Sequence, residues 1–163
     1  MTLRIGLIGA GANTRLQHIP GFQGIDGVDI TAVCNRSRES GQKIADEYGI
    51  PRVFDQWQDL VQSDDVDAIC IGTWPYMHCP MTLAGIDAGK HVLTEARMCM
   101  NLAEARKMYQ ASQQTDRVTM IVPAPFYLTA EPILLDKLAN GVFGDLREIH
   151  VNGLTGGWTP DAP

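Results

Sequence analysis

Ile5-Gly6-Leu7-Ile8-Gly9-Ala10-Gly11-Ala12-Asn13-Thr14 is an apolar run of strand length that stops at a Gly-x-Gly turn, with a helix-like pattern behind it. A dinucleotide-binding βαβ unit begins this way. The first glycine permits the tight turn. The second lets backbone N–H groups approach a pyrophosphate, and the helix N-terminus favours negative charge there. Thr14 stands where a third glycine or alanine usually lets helix and strand pack closely, so the fingerprint is incomplete. Its weight depends on what surrounds it.

The surroundings fit. Val28-Asp29-Ile30-Thr31-Ala32-Val33-Cys34 is β-branched and apolar enough for a buried parallel strand. It ends at Asn35-Arg36-Ser37-Arg38, roughly 20 positions after the turn, where such a unit reaches the adenosine ribose. An acidic residue there would favour NAD. Asn35 instead carries no charge to repel a 2′-phosphate, and Arg36, Ser37 and Arg38 add two cations and a donor. The pattern predicts a preference for NADP, with NAD as the alternative. In a plainer reading Ser37 only caps the next helix and the arginines are solvated. Both hold together, because a capping serine and a phosphate site share one helix end.

Bulk properties narrow the class. The chain has 163 residues, 45% of them hydrophobic and 20% charged, enough for one domain with a real core. A net charge of −6 argues against nucleic acid or an anionic membrane as partner. No apolar run reaches the ~20 residues of a membrane span, and the N-terminus lacks a signal-peptide pattern. Cys34, Cys70, Cys79 and Cys99 form no Cys-x-x-Cys pair, so no metal site is expected. Cys34 and Cys70 lie near strand ends and read as small buried hydrophobes. A reduced, cytoplasmic setting follows.

The remaining segments alternate. Ser37 is expected to cap a helix over 38–48, with Ile44, Ala45 and Tyr48 inward and Gly49 past its end. A short strand at 52–54 and a helix capped by Asp55 through Trp57, Leu60 and Val61 follow. Strands are expected at 68–71, 91–94 and 118–122. Helices are expected at 77–88 and at 102–113, the latter with Asn101 and Glu104 as a capping box. A further helix at 131–139 and a seventh strand at 146–151 come next. The expected fold class is α/β: a Rossmann-type, doubly wound, mainly parallel sheet with helices on both faces. The expected division is a dinucleotide-binding domain over 1–125. Residues 126–163 would be the connecting helix and first strand of a truncated second α/β domain.

Later motifs extend the reading. Gly72-Thr73-Trp74-Pro75-Tyr76-Met77-His78 follows the fourth strand, and Ala88-Gly89-Lys90-His91-Val92-Leu93-Thr94-Glu95 runs through the fifth. Asn101-Leu102-Ala103-Glu104-Ala105 and Asn140-Gly141-Val142-Phe143-Gly144-Asp145-Leu146-Arg147 complete the series. In this order and spacing they resemble the family of glucose–fructose oxidoreductase, inositol dehydrogenase and MocA. The resemblance implies hydride transfer between NAD(P) and a hydroxyl or carbonyl of a sugar- or polyol-like substrate. It also implies a C-terminal α/β domain and a homo-oligomer for the full-length protein. Gly9, Gly11, Ala12, Asn13 and Thr14 would cradle the pyrophosphate, with Asn35, Arg36 and Arg38 facing the adenosine. Thr73, Trp74 and His78 would lie along the nicotinamide half, and Glu95 near its ribose or carboxamide. For His78 a backbone-bonded histidine at a helix start is the alternative, and for Trp74 plain packing. The family commonly has Glu-Lys-Pro after the fifth strand; here it is Glu95-Ala96-Arg97. The family's proton-transferring aspartate and histidine would lie beyond Pro163, so the catalytic residues are unassigned and this stretch is expected to be inactive alone. A non-catalytic NAD(P)-binding sensor or complex subunit is the competing function, and a domain for another ligand such as S-adenosylmethionine a weaker third.

Overall fold

β1, Leu3–Ile8, is buried from Ile5 onward. Its side chains alternate between faces, with Ile5 and Leu7 in one apolar cluster and Ile8 in the other. The computed structural model describes residues 2–122, 130–150 and 152. The chain divides into one compact unit over Met1–Ala124 and another over Pro125–Pro163.

In the first unit, β2 (Val28–Cys34), β3 (Arg52–Phe54), β4 (Ala68–Ile71), β5 (His91–Thr94) and β6 (Thr119–Ile121) join β1. All pairs are parallel, in the order β3-β2-β1-β4-β5-β6. Helices α1 (Ile19–Gln23) and α2 (Arg38–Tyr48) bring Ile19, Ile44 and Ala45 to one face. From α3 (Trp57–Gln62) and α4 (Pro75–Asp87), Leu60, Val61 and Met81 pack on the other. Two covered faces explain the near-continuous apolar runs of the central strands. The chain leaves β1 toward one side and β4 toward the other. That switch point opens a crevice at the strands' C-terminal ends.

Several local expectations are refined. Gln56, not Asp55, stands at the N-cap of α3, and it makes no side-chain cap; Asp55 pairs instead with Arg38 at 2.9 Å. Helix α4 begins at Pro75 rather than Met77, because proline suits the first helical position, where no N–H is needed. At α5 (Leu102–Gln113) Asn101 Oδ1 accepts the Glu104 N–H at 3.0 Å. The return bond of a capping box is displaced by one residue: the Glu104 carboxylate accepts the Met100 N–H at 2.9 Å. The helix behind the glycine turn contains a π turn over Thr14–His18, closed by the Ile19 N–H on the Thr14 carbonyl, before α1 begins. Pro20, with no N–H to donate, follows directly.

Cys34 and Cys70 are buried as expected. Burial pushes the Cys34 thiol up to about 11, helped by Asp55 and Asp59, and the Cys70 thiol up to about 12. Cys79 is also buried, and Cys99 is intermediate.

Arg4 and Asp67 link the start of β1 to the start of β4 by two side-chain bonds of 2.7 and 2.9 Å. The Arg4 hydrogen bond holds the Asp67 carboxyl down at about 2. Its pKa is thus lower folded than unfolded. The stabilisation is complete above about pH 4 and is lost as pH falls toward 2. Acid unfolding of Asp67→Asn, followed by circular dichroism, is expected to depend less steeply on pH in that window. A curve parallel to the wild type would show that this pair contributes nothing to acid stability.

The second unit contains α6, Glu131–Ala139, ended at Gly141 with φ 67°. The expected seventh strand does not form among the described residues 146–150. A strand requires a ladder partner for its N–H and C=O groups, and no described residue supplies one. Val151 lies outside the described residues.

Candidate dinucleotide site

The turn after β1 is built by backbone bonds. The Gly9 N–H donates to the Cys34 carbonyl at 2.9 Å, and the Gly72 N–H to the Ile8 carbonyl at 2.8 Å. Gly9 has φ +85°, and a Cβ on it would meet Thr73 Cγ2 at 2.7 Å. Gly72 is as confined: a Cβ there would lie 2.2 Å from Thr14 Oγ1 and 2.6 Å from the Gly9 carbonyl oxygen. Thr14 is buried and its hydroxyl donates to that same oxygen at 3.1 Å. The incomplete fingerprint is thereby explained. Close approach is achieved by removing the side chain at Gly72, across from Thr14.

Gly11 is different. Nothing lies within 4 Å of the position its Cβ would take. Its bare backbone borders a cleft of about 690 Å³, within the range of small-molecule and cofactor sites. Residues 12–23 form one continuous helical stretch behind it, whose first N–H groups have no preceding carbonyls to bond. These features fit a pyrophosphate: open backbone, free donors and no side chain in the way.

The same cleft is lined by Gly9, Ala12, Asn13, Thr14, Asn35, Arg36, Thr73, Trp74 and Glu95, all singled out from the sequence. Asn35 does more than lack a charge. Its Oδ1 accepts the Ala10 N–H at 2.7 Å and its Nδ2 donates to the Ser40 carbonyl at 3.3 Å, so it ties the glycine turn to α2. Arg36 is exposed and has no ion-pair partner among the described residues. Ser37 does not line the cleft; it caps α2 through the Ser40 N–H at 3.3 Å. Arg38 is also outside, held by Asp55.

At the other end, Trp74 is 74% exposed on the cleft rim, so packing does not account for it. Glu95 Oε1 is bonded by both Asn13 Nδ2 and His18 Nε2. His18 lies four residues past Thr14 but at no position of the glycine fingerprint, so the sequence does not single it out; only the fold brings it to Glu95. His78 does not line the cleft. It is fully buried, with its ring bonded to the Arg97 and Thr73 carbonyls at 2.7 and 2.9 Å. Tyr76, Trp57, Met77 and Met81 also border the cleft. Their apolar side chains give no sequence signal distinct from core.

The profile of the glucose–fructose oxidoreductase, inositol dehydrogenase and MocA family, an oxidoreductase family with an NAD-binding Rossmann fold, matches residues 3–122. The chain belongs to this family. Among family relatives, 4-carboxy-2-hydroxymuconate-6-semialdehyde dehydrogenase of a Sphingobium strain is 34% identical over 119 residues, covering 73% of this chain and 38% of the relative. A glycosyl hydrolase family 109 protein of Shewanella amazonensis is 33% identical over 153 residues, 88% of this chain and 33% of the relative. The crystal structure of an NAD binding oxidoreductase from Klebsiella pneumoniae superposes with a TM-score of 0.74 at 25% identity, covering 88% of this chain and 40% of the other. The chain thus spans about a third of the length of these curated relatives. The family carries an NAD(P)-binding Rossmann fold, and no described helix is long and apolar enough to cross a membrane.

Proposed function

We propose that this chain is the cofactor-binding part of an NAD(P)-dependent oxidoreductase that prefers NADP. The proposed reaction moves a hydride between the nicotinamide and a hydroxyl or carbonyl of a sugar- or polyol-like substrate. The observation that carries the cofactor choice is the contrast between the two arginines. Arg38 is engaged by Asp55, whereas Arg36 stands exposed at the adenosine end of the cleft without a carboxylate. A guanidinium there suits a 2′-phosphate. Fluorescence titration is expected to show tighter binding of NADPH than of NADH. Arg36→Ala should weaken NADPH by about 10- to 100-fold, the worth of a charge-assisted bond, and leave NADH within about threefold. Arg38→Ala should change either cofactor much less. Equal affinities in the wild type would remove the NADP preference.

A second reading has its own observation. Ala96 occupies the place of the family's usual lysine and offers no proton or charge. In that reading the chain binds NAD(P) as a sensor or complex subunit, without net turnover. The substrate panel holds sugars and polyols, to which the relatives' names add semialdehydes and glycosides. NADPH absorbance and product release, measured together on the full-length protein, separate the readings. Tight NADP binding with no turnover of any substrate would favour the second.

A further inference from the structure

Asn13 and His18 are five residues apart, at the two ends of the π turn over Thr14–His18. In an α-helix, with about 3.6 residues per turn, such a pair would point in directions roughly 140° apart. The wider i→i+5 turn brings it to one face. Both side chains then reach a single atom. Asn13 Nδ2 donates to Glu95 Oε1, and His18 Nε2 is bonded to the same oxygen. A carboxylate oxygen only accepts, so Nε2 carries the proton, and a neutral ring of that tautomer suffices. Phe22 stacks on the ring, with centroids 6.1 Å apart, and steadies its plane.

The two oxygens of Glu95 are treated differently. Oε1 takes both bonds. Oε2 takes none among the described residues, where no buried side-chain oxygen lacks a partner, so Oε2 is open. Glu95 itself lines the cleft. The His18 and Glu95 side chains are only 12% and 15% exposed, so water competes little for the bonded oxygen. Holding one oxygen removes much of the rotamer freedom of the glutamate before any ligand arrives.

We propose that His18 and Asn13 are positioning residues. The π turn makes them a clamp that holds Glu95 with Oε2 toward the cleft, as a fixed acceptor for a hydroxyl or amide N–H of the nicotinamide riboside. The proposal rests on the dinucleotide reading above. His18 does not line the cleft, so it acts through Glu95. Asn13 does line it, but its amide is committed to Glu95. The clamp thereby links the helix behind the glycine turn to the end of β5. An acceptor ordered in advance spares the cofactor that part of the cost of binding.

The test compares two ligands by calorimetry on the whole chain. NADPH carries the nicotinamide riboside; adenosine 2′-phosphate 5′-diphosphate stops at the diphosphate. His18→Ala is expected to weaken NADPH about tenfold and the shorter ligand by less than about twofold. His18→Gln, whose amide can stand in for Nε2, should bring NADPH back to within about threefold of the wild type. Equal losses of both ligands would mean that His18 only shapes the pyrophosphate turn, and would overturn the proposal. Unchanged NADPH binding in His18→Ala, or no recovery with glutamine, would overturn it too. A ligand-free measurement separates the clamp from the dinucleotide reading. Thermal melts of His18→Ala, Glu95→Ala and the double variant should show losses that do not add, since each single change already breaks the same bond. Losses that sum, or single variants that melt with the wild type, overturn the clamp. A wild type that binds neither ligand counts against the dinucleotide reading, and with non-additive melts it leaves the clamp standing.

Discussion

Gly72→Ala is expected to lower the stability of the first unit by about 3 kcal/mol, the upper range of overpacking costs, and to weaken NADPH binding. The added Cβ would sit 2.2 Å from Thr14 Oγ1 and 2.6 Å from the Gly9 carbonyl oxygen. Turning the Thr14 hydroxyl away relieves the first clash but breaks its 3.1 Å bond to Gly9. The second clash is with backbone and is relieved only by moving the glycine turn. That movement displaces Gly11 from the cleft wall. A thermal melt should fall by roughly 10 °C. Thr14→Gly placed on Gly72→Ala removes one of the two clashes, so partial recovery is expected, with a coupling of about 1 kcal/mol. A Gly72→Ala protein that melts with the wild type would show that the two loops do not approach as described.

Asn35→Ala is expected to cost about 1–3 kcal/mol, because the buried Ala10 N–H loses its acceptor. The glycine turn then lacks its tie to α2, and both NADPH and NADH should bind about tenfold more weakly. Asn35→Asp separates the two roles of the residue. It keeps an acceptor for Ala10 but loses the donor to the Ser40 carbonyl and places an anion at the end of β2. NADPH should suffer more than NADH, since the 2′-phosphate would meet the new charge. Cofactor affinities measured for both variants check this. Normal binding of both cofactors by Asn35→Ala would mean the turn holds its shape without the side chain.

The legible parts of this chain share a physical origin. β2 and α2 are readable because their signals are local: a β-branched run, a capping serine and a glycine at φ 70° past the helix end. The seventh strand is not formed among the described residues for the opposite reason. Residues 146–150 have strand-like composition, but a strand is stabilised by a partner that the local sequence does not specify. Position along the chain suggests a capping role for Asp55, and Arg38, distant in sequence, takes its carboxylate instead.

Local sequence is enough for the doubly wound fold, the glycine turn and the family, because alternating apolar runs and turn residues act within a few positions of one another. What completes that turn depends on tertiary structure. Thr14 looks like a flaw until Gly72, from the far side of the switch point, proves to be the residue that leaves it room. Asn35 reads only as an uncharged strand end on the cleft until its amide meets Ala10 and Ser40. His18 carries no signal until β5 brings Glu95 beside it. In each case at least one partner comes from another βα crossing, and only closure of the sheet sets which groups meet.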